Sequence, residues 1–498
     1  MREPVDWPTR DLVSHRVAST PERTAVIDAA NGRAWSYRDL DERVDAVAAR
    51  FATEADAETV DGGRVATLVD TRVGMASLLF GAMRAGVSLV PLNVDLEAAS
   101  LAAQLDRVDP ALLVCERGTE RTAAEIADCP VASVDTPQSE GVTPLDTDNT
   151  PPDPAPLARD DEQVVLFTSG TTSDPKGVRL TVGNLVASAT ASAFRLGVSP
   201  EDRWLVALPT YHMGGLAPFV RAALYGTTVV VQRSFETGET ATVLDEHDVT
   251  GVSLVPTMLS RLLDDGWEPP ESVRTVLLGG GPADERLVER CRDRGVPVHP
   301  TYGMTETASQ IATARPQTAF SHPGTVGQPL LFTDVTVVDG GEPSAPGERG
   351  ELVVDGPTVT PGYLDEARTG AAFGEFGFHT GDLGYRDEDG RLWVVGRADD
   401  RIVTGGETVV AGDVAAAIRT IDGVEDAAVV GVPDAEWGER VAAVVAGEVT
   451  AAAVRSHCEA ALAAYEVPKT IRVVDALTRT ASGTVDRDAA RRLFDADE

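Results

Sequence analysis

One stretch constrains this chain more than any other: Thr168-Ser169-Gly170-Thr171-Thr172-Ser173-Asp174-Pro175-Lys176-Gly177. It follows a short apolar run, Val164-Val165-Leu166-Phe167, which reads as a buried strand. Small residues let backbone N–H groups and hydroxyls converge on an anion, and a lysine adds a point charge. The spacing departs from the G-x-x-x-x-G-K-[ST] pattern, yet the chemistry is that of a nucleotide phosphate loop. The alternative is a Ser/Thr/Gly surface loop.

The rest of the composition narrows the setting. The chain has 498 residues, enough for a large core and more than one domain. Its formal net charge is −36. Lys176 and Lys469 are the only lysines, and every other basic side chain is arginine. A uniformly acidic surface argues against nucleic acid or an anionic membrane as partner. It suits a halophile, whose acidic surface stays hydrated where salt screens the self-repulsion, or an ordinary acidic cytoplasmic protein. Cys115, Cys129, Cys291 and Cys458 are scattered with no C-x-x-C pair, so they read as buried free thiols in a reducing compartment. Met1 to Thr20 carries no apolar core segment or cleavage pattern, so no signal peptide is expected. The apolar stretch Met75 to Leu92 is broken by Arg84, and no run reaches the roughly 20 residues of a membrane helix. A cytoplasmic location is expected, and a homodimer stays open.

Residues 31–120 alternate helical periodicity with short apolar strands. Asp39 to Phe51 reads as an amphipathic helix, Val65 to Val69 as a strand, Ser77 to Arg84 as a helix and Ser88 to Pro91 as a strand. This βα alternation predicts a parallel, doubly wound sheet. A Pro/Asp-rich loop, 141–162, feeds the phosphate-loop strand, and a second βα series runs from Trp204 to about Pro300. Within it, Val273 to Leu278 is a strand ending in Gly279-Gly280-Gly281-Pro282. Glu342 to Trp393 reads as a small β-rich subdomain. After Gly396 follows an α+β unit, with strands near Ala427–Val432 and Ala442–Val445 and helices near Ala451–Ala464 and Arg487–Phe494. The expected fold is α/β: a large domain of doubly wound sheets with a β-rich subdomain over 1–396, and a small mobile α+β domain over 397–498.

Several motifs stand in one register. They are Trp35-Ser36-Tyr37-Arg38-Asp39-Leu40, Arg84-Ala85-Gly86 to Val90-Pro91-Leu92-Asn93, the phosphate loop, Tyr302-Gly303-Met304-Thr305-Glu306-Thr307, His379-Thr380-Gly381-Asp382-Leu383, and Gly396-Arg397-Ala398-Asp399-Asp400. Together they resemble the adenylate-forming superfamily of acyl-CoA synthetases, luciferases and peptide-synthetase adenylation domains. The resemblance implies a carboxylate activated by ATP, with Mg²⁺, and transferred to CoA. A carboxylate is already ionised at neutral pH, so the chemical problem is the approach of two anions, solved by positioning and charge neutralisation.

The implied roles follow. Lys176 with Thr168, Ser169, Gly170, Thr171 and Thr172 would hold the β,γ-phosphates. Glu306, beside Thr305, would ligate Mg²⁺. Tyr302, beside Gly303, would stack on adenine, with Gly279, Gly280 and Gly281 close to the base, or simply forming a strand-to-helix turn. Asp382 would accept from the ribose hydroxyls, and Arg397 would donate to ribose or phosphate. Asp399 marks the hinge about which the C-terminal domain swings to its thiol-transfer position. Gly405 and Gly406 would approach CoA there, or form a hairpin turn.

One position departs from the family. Where a C-terminal lysine is usual, this chain has Thr484, within Arg479-Thr480-Ala481-Ser482-Gly483-Thr484-Val485-Asp486-Arg487. Threonine supplies no positive charge. Arg479, Arg487 or Lys469 deputises, or the first half-reaction is slow, or the protein binds nucleotide as a pseudoenzyme.

Leu278 to Ala283, the YGMTETASQ run from Tyr302 to Gln310 and Val326-Gly327-Gln328-Pro329-Leu330 resemble the branch that joins o-succinylbenzoate to CoA in menaquinone synthesis. The alternative is another aromatic or medium-chain acid. His212, in the run Leu208 to Leu216, would border the acyl pocket as a wall or gate, or act directly. Ser309 and Gln310 would hydrogen-bond the acid or cap the following segment. A second carboxylate on the acid demands polar partners in the pocket.

Overall fold

The computed structural model describes residues 10–54, 63–146, 150–168, 175–434, 436–479 and 485–494. Two large, mostly parallel sheets form the N-terminal body. In one, Glu162–Thr168 lies between the parallel strand Ser88–Pro91 and the antiparallel strand Lys176–Thr181, with Gly362–Tyr363 at the edge. In the other, Thr275–Leu278 and Val298–Met304 run parallel, and Ser309–Thr313 turns back antiparallel on the latter. Strands such as Leu112–Cys115 and Thr228–Val231 are buried at every residue, as expected when helices cover both faces of a parallel sheet.

The largest apolar cluster joins the two sheets. Val65, Leu89, Val164 and Leu166 from one meet Val26, Val206 and Val229 from the other, through helices Tyr37–Glu54, Gly74–Ala85, Val182–Leu196 and Met213–Tyr225. A smaller antiparallel sheet carries Arg349–Asp355, Gly377–Arg386 and Leu392–Arg397, corresponding to the β-rich stretch read from the Gly turns. Beyond it, Arg401–Thr404, Glu407–Val410, Val424–Asp434, Gly438–Gly447 and Thr470–Val474 form a separate sheet flanked by helices Ala411–Arg419 and Ala451–Ala461.

The expected elements recur with shifted ends. The helix read as Ser77 to Arg84 runs Gly74–Ala85 and stops on Gly86, which adopts the left-handed conformation (φ 71°) that glycine takes most easily. The strand read from Val273 begins at Thr275. Among the thiols, Cys115, Cys291 and Cys458 are buried, but Cys129 is only half-buried, because it lies in the loop before Val131–Ser133. No helix among the described residues is long and apolar enough to cross a membrane.

Arg84, which interrupts the apolar run, is 2% exposed. It contacts Asp11 at 3.0 Å, Asp41 at 2.6 Å and Asp45 at 2.5 Å. Asp11 is fully buried and also caps helix Leu12–Ser19 by accepting from the Ser14 N–H. One cation thus ties three helices, and removing it strands the buried Asp11 carboxylate. Arg84→Met is expected to lower unfolding free energy by about 3–5 kcal/mol, read from the denaturant midpoint. A change below about 1 kcal/mol would show that the cluster contributes little.

Candidate active site

The phosphate-loop hairpin is set by register. Thr168 pairs with Lys176 across the antiparallel strands, so both stand at its open end. Ser169, Gly170, Thr171 and Thr172 lie outside the described residues. The Lys176 Nζ sits 5.4 Å from the centre of the Tyr363 ring. The Tyr363 hydroxyl donates to Glu306 Oε1 at 3.0 Å. Burial, with the Glu306 charge adding to it, pushes the Tyr363 phenol well above its ordinary range, so it remains a donor at neutral pH. One ring thereby spaces the lysine from the carboxylate. Tyr363 was not singled out from sequence; a lone aromatic in a Gly-rich stretch was its only signal.

Glu306 belongs to a single 3₁₀ turn, Thr305–Thr307, at the end of strand Val298–Met304. The Thr305 carbonyl closes it by accepting from the Ala308 N–H at 3.0 Å. Ala308 (φ 52°) and Ser309 (φ 126°) then take backbone conformations that non-glycine residues avoid. The strain turns the chain straight back, so Met304 pairs with Ser309 and Gly303 with Gln310. A Cβ on Gly303 would come within 1.7 Å of the Ser309 carbonyl, which explains the glycine. Among the described residues, no cluster of His, Cys, Asp or Glu forms a closed metal site. Glu306 offers one hard oxygen beyond the one facing Tyr363, which fits Mg²⁺ held by a carboxylate and substrate phosphates.

Asp382 joins Tyr302 to Arg397. Its Oδ2 accepts from the Tyr302 hydroxyl at 2.7 Å and its Oδ1 from Arg397 Nη1 at 3.2 Å. The Asp382 N–H is itself held by Thr380 Oγ1 at 3.0 Å. A carboxylate has about four acceptor sites, so two remain for another donor pair. Burial raises the Asp382 pKa, and Arg397 offsets only part of that. Gly279, Gly280 and Gly281 follow strand Thr275–Leu278, and Gly280 (φ 76°) makes the turn. The strand-to-helix reading of this motif therefore has a geometric basis.

A cleft lies between helices Val182–Leu196 and Met213–Tyr225, closed at one end by Ala308, Ser309 and Gln310. It has room for about 10 Å³, one water at most, so a larger ligand requires side chains to part. Gln310 faces it but also donates to Thr313 Oγ1 at 2.7 Å. His212 stands at the N-cap of the second helix, edge-on to Tyr211. Its Nε2 is buried with no hydrogen-bond partner, and burial lowers its pKa, so the ring is neutral. At the floor is Arg221, wholly buried. It stacks over Trp204 at 4.0 Å and donates to Ser192 Oγ at 3.1 Å, while its Nη2 has no partner. No carboxylate among the described residues is in salt-bridge contact with it; burial pushes its pKa down to about 10, and the field of Asp202 opposes that only in part.

In the C-terminal region, Gly405 (φ 59°) and Gly406 (φ 87°) form the two-residue turn between Arg401–Thr404 and Glu407–Val410. Positive φ at both positions is the hairpin geometry that favours glycine. The Gly405 N–H donates to the Trp437 carbonyl at 2.9 Å. Trp437 is 40% exposed and carries the Lys469 Nζ 3.0 Å from its ring centre. Asp399 follows Arg397 in the 3₁₀ turn Ala398–Asp400. Thr484 lies outside the described residues. Of its three candidate deputies, Arg479 pairs with Asp426 and Lys469 lies over Trp437. Arg487 pairs with Asp400 and shares the field of Arg397 and Asp382.

Family models agree with this anatomy. The AMP-binding enzyme model matches residues 13–364, and the AMP-binding enzyme C-terminal domain model matches 413–484. The chain belongs to the AMP-binding enzyme family. It is 36% identical over 479 residues to a 2-succinylbenzoate–CoA ligase of Bacillus pumilus, covering 95% of this chain and 96% of that one. Its structure resembles the Bacillus subtilis o-succinylbenzoate CoA synthetase in complex with the acyl-adenylate intermediate OSB-AMP, with a TM-score of 0.87, 33% identity and coverage of 97% and 98%. Against a double mutant of that synthetase bound to the product analogue OSB-NCoA, the TM-score is 0.72 at 32% identity, with coverage of 96% and 97%.

The raised pKa of Asp382 has a signed consequence. On acidification it protonates before an ordinary aspartate, whose pKa is about 4, and loses acceptor capacity. ATP affinity is expected to fall with a midpoint above that value, and Asp382→Asn to bind weakly with a flat profile. In the free protein the sign reverses, since the buried ionised carboxylate costs stability as pH rises through its folded pKa. Calorimetric titration across pH 4–7 checks this; a wild-type profile as flat as that of the variant would refute it.

Proposed function

We propose that the chain is an AMP-forming carboxylate–CoA ligase acting on o-succinylbenzoate through an acyl-adenylate. The observation that carries the substrate reading is Arg221. A guanidinium buried without a carboxylate partner is costly unless an anion completes it. The floor of the acyl cleft therefore suits an acid with a second carboxylate, the first being left for ATP. The names of the relatives point to the same acid.

In the first half-reaction a carboxylate oxygen of the acid attacks the α-phosphorus of ATP, the α–β P–O bond breaks, and pyrophosphate leaves. Lys176 and Thr168, paired at the open end of the hairpin, would hold the departing phosphates. Mg²⁺, with Glu306 as its protein ligand, would screen phosphate charge. Tyr363 holds Glu306 and Lys176 at a fixed spacing. Tyr302, Gly303 and Gly279–Gly281 wall the adenine, and Asp382 takes the ribose hydroxyls. His212, neutral and next in sequence to the cleft-lining Met213, would act as a wall rather than as an acid or base. In the second half-reaction the CoA thiolate attacks the acyl carbon and AMP leaves, with Gly405, Gly406 and the exposed Trp437 forming the approach. We place the domain boundary after Gly396 and the hinge at Asp399.

Arg487 supplies the C-terminal cation that Thr484 lacks, supported by its place beside Asp400, Arg397 and Asp382. Arg487→Gln is expected to slow pyrophosphate release at least tenfold, and Thr484→Lys to restore it in that background. No loss in the single variant would eliminate this role.

Arg221→Gln tests the substrate reading. Its KM for o-succinylbenzoate should rise about 10²-fold or more, the effect of losing a buried charge pair. Turnover of benzoate should not fall. Equal losses for both acids would place Arg221 in the scaffold instead.

A further inference from the structure

Helix Ala411–Arg419 of the C-terminal region presses on the N-terminal body along strand Leu392–Arg397. The contact is close. A Cβ on Gly412 would come within 2.0 Å of the Val395 carbonyl. Arginines of the body hold both ends of this helix. At its first turn, Arg349 Nη1 lies 2.5 Å from Asp413 Oδ2. Past its last turn, Arg286 donates to the Ile421 carbonyl at 2.9 Å, to Asp422 Oδ1 at 3.0 Å and to the Thr420 carbonyl. Both contacts also suit the helix dipole, with an acid at the N-terminal end and a cation at the carbonyl end.

These groups are substantially exposed: Arg349 56%, Arg286 40% and Asp422 fully. Exposed ion pairs shift an equilibrium by a factor of roughly one to five each. That is too little to hold a fold together, but enough to set the population of a domain that has to leave again. The same orientation keeps Arg487 on Asp400 and beside the Asp382–Arg397 pair. It also superposes better on the acyl-adenylate complex than on the product-analogue complex, at 0.87 against 0.72.

We propose that Arg286 and Arg349 form a two-point clamp on helix Ala411–Arg419 that populates the adenylate-forming orientation and is weak enough to release it for thiol transfer. They are positioning residues, remote from the reacting atoms, and the inference rests on the ligase reading. The two points differ in kind. The hydrogen bonds of Arg286 to carbonyls act at contact range, whereas the exposed Arg349–Asp413 pair is screened by salt.

The test separates the half-reactions. In the Arg286→Ala/Arg349→Ala double variant, pyrophosphate release from acid and ATP without CoA should fall about 3- to 20-fold. Thioester formation from pre-made acyl-adenylate and CoA should hold or rise. Exchanging the charges with Arg349→Asp and Asp413→Arg should recover most of the Arg349→Ala loss, and added KCl should erase the Arg349→Ala effect before that of Arg286→Ala. A spin-label distance between Glu388→Cys and Glu436→Cys should lengthen or broaden in the double variant even without substrates. Equal loss in both half-reactions, no loss in either, or an unchanged distance would overturn the clamp. Failure of the wild type to adenylate any acid would instead overturn the ligase reading and leave the distance measurement to judge the clamp.

Discussion

The carboxylate of Asp382 is the joint on which the site depends. It is buried, and it grips the Tyr302 hydroxyl with one oxygen and Arg397 with the other. Tyr302 belongs to the strand that leads into Glu306, and Arg397 is the last residue before the 3₁₀ turn Ala398–Asp400. One carboxylate thus couples strand Val298–Met304 to strand Leu392–Arg397, where the C-terminal region begins. The elevated pKa of Asp382 reflects that duty, because burial opposes the charge and Arg397 recovers only part of the difference.

Cations are scarce here, and their placement is informative. Both lysines lie over aromatic rings, Lys176 over Tyr363 and Lys469 over Trp437. A ring face fixes an ammonium without neutralising it, which leaves the charge available to a phosphate. Arg84 is used differently, being saturated by three carboxylates inside the body. Arg221 is buried with none in contact among the described residues, only the field of Asp202. That contrast is the ground for proposing a structural role for one arginine and a binding role for the other. No composition figure could make that distinction.

Much of the fold was legible because its signals are local. Apolar runs bounded by turn residues located the parallel strands. The family motifs were legible because each is contiguous. What escaped was tertiary. Tyr363 acquires its meaning only when the edge strand Gly362–Tyr363 lands beside Lys176, across a long sequence gap. Nothing local in the sequence marks Arg221 among the arginines, and only packing against Trp204 and Ser192 shows that it has lost its solvent. Cys129 appeared to be a buried thiol but lies partly open, since a loop rather than a strand carries it.

The central claim is that this scaffold activates o-succinylbenzoate at the α-phosphate of ATP. The most direct measurement omits CoA and looks for the acyl-adenylate by mass, with o-succinylbenzoate, benzoate and octanoate run in parallel in concentrated KCl. The account predicts stoichiometric o-succinylbenzoyl-adenylate and pyrophosphate, with little from the two monoacids. Adenylate from a monoacid alone would contradict the substrate assignment, and ATP binding without any adenylate would contradict the ligase itself.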